Sequence, residues 1–174
     1  MSAAKKRYEK LVKARSNYLN RAEEASRLTI PQLYTGQYGP EADGNSYGNP
    51  YQSLGARGVN NLANKIILTL FPPGTAFFKM GINPITLKEM RKGEGEINQA
   101  LQTLEKSIVS EMEISQLRAS LVDLLKQCIV GGSALLHVPT LENPKVISME
   151  CFGIKRSKSK RILELIIKES LVYS

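Results

Sequence analysis

Apolar residues recur at helical spacing through most of this chain and at strand spacing in its last quarter. Tyr8, Leu11, Val12, Arg15, Tyr18, Leu19, Ala22 and Ala25 form one stripe, which predicts an amphipathic helix over 4–28. It ends at Thr29-Ile30, because the residue before Pro31 is pushed away from helical geometry. Val59, Leu62, Ala63, Ile66, Ile67 and Leu70 predict a second helix, with Ser53 as N-cap and Pro72-Pro73 as its stop. Phe78, Met80 and Ile82 alternate with Phe77 and Lys79, which predicts a short strand over 76–82. A turn at Asn83-Pro84 leads into a short helix at 85–90, and the glycines at 93 and 95 predict a flexible break.

Ile97, Leu101, Leu104, Ile108 and Met112 mark a further helix face. Leu117, Leu121, Leu124, Leu125, Cys128 and Ile129 mark another, capped by Gly131-Gly132. The two are expected to pack as an antiparallel pair across a bend near 113–115. Strands follow at 134–139 and 145–149 around Asn143-Pro144. The stretch 153–173 reads as a β-hairpin, with Leu163, Leu165 and Ile167 on one side.

The expected class is therefore α+β, mainly helical. Residues 1–32 carry the N-terminal amphipathic helix and 33–50 a Gly/Tyr/Pro-rich loop. Residues 51–132 make a helical core with a short strand, and 133–174 make β-strands with a basic hairpin. Tyr34, Tyr38 and Tyr47 punctuate the loop, which is expected to be an arm whose tyrosines pack on the protein itself or on a neighbouring copy.

Composition sharpens this picture in two places. A 42% hydrophobic, 23% charged chain of 174 residues is that of a folded domain. A formal charge of +8 points to an anionic partner, either nucleic acid or an acidic protein surface. Eight cations less three anions leave +5 on the first predicted helix alone. Lys155, Arg156, Lys158, Lys160 and Arg161 place five cations in seven residues at the hairpin tip. Such a tip is either a solvated loop or a contact for nucleic acid or a partner.

The expectations for chemistry are negative. No apolar run reaches the roughly 18–20 residues that cross a bilayer, so no membrane association is expected. Cys128 and Cys151 are expected as reduced, buried thiols. One histidine, His137, leaves no His/Cys metal cluster and sits in the polar phase of its strand. No nucleophile elbow, phosphate loop or separated carboxylate pair is present. A non-enzyme with no catalytic, cofactor or metal residues is expected.

Gly55 and Gly58 lie three apart in the second predicted helix, and each costs about 1 kcal/mol there relative to alanine. Close approach of another backbone on their side would offset that cost, so Gly58→Leu is expected to clash. Arg57 and Lys65 then point outward, with Asn60, Asn61 and Asn64 offering amides. The stretch is either a tightly packed buried helix or a surface that recognises phosphate or a neighbouring subunit.

Gln52-Ser-Leu-Gly-Ala-Arg-Gly-Val-Asn-Asn-Leu-Ala-Asn-Lys65, running on to Leu70-Phe71-Pro72, resembles the signature stretch of head-to-tail connector (portal) proteins of short-tailed, T7-like bacteriophages. Three further pieces agree in order and approximate spacing. They are Tyr8-Glu-Lys-Leu11 with Arg15 and Tyr18; Arg21-Ala22 leading to Thr29-Ile-Pro-Gln-Leu33; and the run from Leu124 to Pro139. The resemblance implies a wing-like fold in a ring, commonly of twelve copies, at one capsid vertex. It implies double-stranded DNA passing through that ring, with capsid, scaffold, terminase and tail proteins as partners. The virion is the implied location, after assembly in the host cytoplasm. Gly55, Arg57, Gly58, Asn60 and Asn61 match the motif as structural or interface residues. Family members are much longer, and stem, clip and channel segments have no counterpart here, so an N-terminal fragment is expected. Charge alone supports a different reading, a small basic nucleic-acid-binding protein.

Overall fold

The computed structural model describes residues 3–34, 52–83, 94–139 and 143–169. Among these, five helices precede two small antiparallel sheets, an α+β architecture that is mainly helical. The helices are α1 (Ala3–Lys13), α2 (Ser16–Leu28), α3 (Leu54–Leu70), α4 (Glu94–Ile114) and α5 (Leu117–Gly131). Strands β1 (Leu135–His137) and β2 (Lys145–Ile147) pair in one sheet, β3 (Phe152–Arg156) and β4 (Ile162–Ile167) in the other.

The single helix expected over 4–28 is two helices. The chain breaks at Arg15, which leaves helical geometry at φ −121°, ψ 18° and turns its guanidinium onto the carbonyls of Met149 and Phe152. The same guanidinium lies 4.8 Å from the centre of the Phe152 ring, and the Tyr8 hydroxyl donates to the Glu150 carbonyl. These carbonyls flank a 3₁₀ turn, Met149–Cys151, where ladder partners run out. Buried carbonyls left without a donor are costly, and the helix bends to supply one. Apolar spacing alone could not show the break, because residues on both sides of it keep an apolar side.

The strand expected at 76–82 is absent. Among the described residues no second strand reaches it, and the segment is held along α4 instead. The Met80 amide donates to the Glu105 carboxylate, and Phe77 packs edge-on between Phe71 and Phe78, with centroids 4.6 and 5.0 Å away. The helix expected at 85–90 lies outside the described residues. The break expected near Gly95 is the first turn of α4, where amides lack intrahelical partners in any case.

The inward side of α4 is Ile97, Leu101, Glu105, Val109 and Met112, rotated from the expected stripe. Leu104 and Ile108, expected in the core, are 51% and 39% exposed. α4 passes to α5 through Gln116 in the left-handed region at φ 54°. Arg118 closes this corner, pairing with Glu113 and donating to the Phe71 carbonyl. α5 ends as expected on left-handed Gly132, φ 83°, whose amide reaches the Cys128 carbonyl at 2.9 Å.

The central core is Ala22, Tyr34, Met149 and Phe152, with Leu19, Leu33, Val130, Leu135, Ile147 and Ile154 against it. Tyr34 is buried on the protein itself, one of the two packings expected for the tyrosines of this segment. Its hydroxyl donates to the Gln127 carbonyl at 3.0 Å, and its ring fills the space where Gly131 has no side chain. Tyr38 and Tyr47 lie outside the described residues. α3 buries Val59, Ala63 and Ile67, and α5 packs against both α3 and α2.

Candidate functional site

Two surfaces carry the residues singled out by the sequence, and they behave differently. On α3, Gly55 sits where the helix start crosses the end of α2. A methyl group there would run into the Leu28 carbonyl oxygen and stand 3.1 Å from Thr29 Cα. This is the backbone-on-backbone approach that a glycine permits. Gly58 does not share it. Among the described residues nothing lies within 4 Å of the position its Cβ would take, so they do not supply the clash expected at Gly58.

The five motif residues are therefore split. Gly55 faces inward, and Asn60 is half-buried at a groove of about 620 Å3 shared with Ile30, Gln127 and Val146. Arg57, Gly58 and Asn61 are exposed and share the outer side of the helix with Leu54, Lys65 and Leu68. Leu54 and Leu68 are 71% and 59% exposed, so this side is apolar as well as basic. Ser53 occupies the N-cap position as expected, without a side-chain cap bond, and Phe71 ends the helix before Pro72-Pro73.

The second surface is the β3–β4 hairpin. Its register pairs Phe152 with Ile167, Ile154 with Leu165 and Lys155 with Glu164, then shifts by a bulge between Lys155 and Arg156. The Ser157 amide reaches the Arg161 carbonyl at 2.8 Å, and Lys160 takes a left-handed φ of 63°. That tight turn crowds Lys155, Arg156, Lys158, Lys160 and Arg161 at one end. All five are exposed, and among the described residues none is within ion-pair range of a carboxylate. Glu164, opposite Lys155, pairs instead with Arg7 at 3.5 Å.

The root of the hairpin contrasts with this open tip. Gly153 lies under α1, with room for nothing larger: a Cβ there would stand 3.0 Å from that of Leu11. Burial pushes the Tyr34 and Tyr8 hydroxyls upward from the ordinary tyrosine range, and pushes the Cys128 thiol up. Burial also lowers Arg15, with Tyr8 acting in the opposite direction. The hydrogen bond from Arg118 holds the Glu113 carboxyl below its usual value. The described residues bring together no three side chains able to hold a metal ion, and Cys128 and Cys151 are not joined in a disulfide.

Sequence reasoning missed Arg15 and Tyr8 as a fastening for the hairpin root, and Gly131 as the space that Tyr34 fills. One signal was present: Arg15 stands in an otherwise apolar stripe. Gly131 and Gly132 look alike as a pair, yet only Gly132 makes the cap, while Gly131 makes room for Tyr34.

Residues 1–172, and so both surfaces, match the family described as bacteriophage head to tail connecting protein. The chain belongs to this connector family. It is 32% identical over 179 residues to the portal protein of Enterobacteria phage T3, an alignment covering 98% of this chain and 32% of that relative. It is 30% identical over 181 residues to the portal protein of Escherichia phage T7, covering 98% and 33%. With the portal protein of Enterobacteria phage SP6 it shares 27% over 165 residues, covering 93% and 31%. The connector chain thus spans about a third of the length of these relatives. No helix among its described residues is long and apolar enough to cross a membrane.

Proposed function

We propose that this chain is part of a structural subunit of a phage portal ring, through which double-stranded DNA is packaged and ejected. The observation that carries the reading is the family match along residues 1–172, joined to an α3 motif whose Arg57, Gly58 and Asn61 are exposed, with no described residue within 4 Å of the Gly58 Cβ position. A glycine that costs helix stability and meets no described residue of its own chain makes sense where another molecule presses close. Its role is shape and assembly, without catalysis or cofactor. The partners are further copies of itself, twelve in the ring, together with capsid, scaffold, terminase and tail proteins. The charge of +8 suits non-specific contact with the DNA that passes. The protein works in the virion and assembles in the host cytoplasm.

The test is native mass measurement and negative-stain imaging of the purified protein. Closed rings are the expected result. A second reading, a small basic nucleic-acid-binding protein, is favoured by the five unpaired cations of the hairpin. A chain that stays monomeric, yet binds duplex DNA with a steep loss of affinity as salt rises, would replace the ring by that binder.

A further inference from the structure

The hairpin tip is not only basic. Ile162 and Leu163 are 51% and 60% exposed, and Leu165 and Ile167 continue the exposed apolar run along β4. Duplex DNA offers phosphates to the cations but no comparable apolar surface, and interfaces with it are more polar than those between proteins. A protein surface both acidic and apolar would satisfy the two features together.

Such a surface exists on the same molecule. Across α4, five acidic residues stand against one lysine. Glu96, Leu104, Ile108, Glu111 and Ile114 follow each other at helical spacing along one side, all exposed, and Ile114 is 71% exposed. Lys106 lies on another side of the helix. Glu113 is already taken by Arg118, and Glu105 by the Met80 amide. Glu96 and Glu111 make no ion pair among the described residues.

The hairpin packs on α1, whereas α4 packs on α5. We infer that the β3–β4 hairpin of one copy docks on the outer side of α4 of a second copy. Its cations then face Glu96 and Glu111, while Leu163 and Leu165 cover Leu104 and Ile108. The inference rests on the reading of the chain as an assembling ring subunit. It adds which two surfaces meet. Because the two patches differ, the contact is head-to-tail, the kind that closes into a ring when the rotation per copy allows.

The test uses two variants of the whole chain followed by analytical ultracentrifugation. Leu163→Thr with Leu165→Thr disables the hairpin, and Leu104→Gln with Ile108→Gln disables α4. Each alone should self-associate at least about thirtyfold more weakly than the parent, as expected for losing two partly buried leucine-sized contacts. An equimolar mixture should form a heterodimer and grow no further, since one good hairpin and one good α4 remain. Unchanged melting of each variant shows that the fold is intact. Charge exchange tests the same contact without touching apolar residues. Glu96→Lys with Glu111→Lys should dissociate the assembly, and a copy carrying Lys158→Glu, Lys160→Glu and Arg161→Glu should restore pairing. Assembly undisturbed by either variant would overturn the inference and leave the ring reading standing. So would loss of binding to a short random-sequence duplex in the three-cation variant with self-association intact. A parent chain that remains monomeric at every concentration would remove both.

Discussion

The two ends of the β3–β4 hairpin are built on opposite terms. At its root the carbonyls of Met149, Glu150 and Phe152 each receive a side-chain donor from Arg15 or Tyr8, and Phe152 lies in the central core. At its tip five cations and the apolar side chains of Ile162, Leu163 and Leu165 stand in solvent. A short two-stranded sheet is marginal alone and needs packing on one part to hold its shape. Here the root supplies that packing, which leaves the tip free to serve a contact outside the chain. The same division runs through α3, with Gly55 pressed on the end of α2 and Gly58 facing none of the described residues.

Breaking the root should have the largest effect on the fold. Arg15→Ala removes a charged donor from two carbonyls and a cation from the Phe152 ring, and should destabilise the protein by about 3 kcal/mol in chemical denaturation. A loss below about 1 kcal/mol would mean that water replaces the guanidinium and that the root is not what holds the hairpin. The glycine pair sharpens the comparison within one helix. Gly55→Ala should cost about 2 kcal/mol, since its methyl group meets backbone that cannot give way easily. Gly58→Ala should instead gain about 1 kcal/mol in the isolated chain, from helix propensity with no clash. Equal effects of the two substitutions on the denaturation midpoint would erase the distinction between the sides of α3. The smallest effect on the fold belongs to the tip. Replacing Lys155, Arg156, Lys158, Lys160 and Arg161 together by glutamine should leave the melting temperature within about 2 °C, as for other exposed substitutions. A larger fall in the scan would place these cations in the fold and not at a contact.

Much of the architecture was legible in the sequence. The bounds of α3 and α5, the Gly132 cap, the two hairpins and the basic tip lie close to where spacing and turn residues put them. The strand at 76–82 was not legible as false, because alternation over seven residues shows a two-sided segment but not whether a partner strand arrives. Leu104 and Ile108 belong to the apolar stripe yet stand outside the core, because a wide stripe does not state which half of it the neighbour covers. The candidate site was legible as a list of residues and not as a geometry. Nothing in the run from Gly55 to Asn61 distinguishes the inward glycine from the outward one.

What the sequence determined by itself was therefore local. A helix must bury an apolar side whatever it meets, a proline removes a donor, and a positive φ favours glycine wherever it occurs. These rules involve residues within a turn or two of each other. Tertiary structure decided the break at Arg15, the burial of Tyr34 against Gly131 and the openness of Gly58. Each depends on a carbonyl, a ring or an empty space contributed from far along the chain, and no local pattern encodes which of these comes to rest beside it.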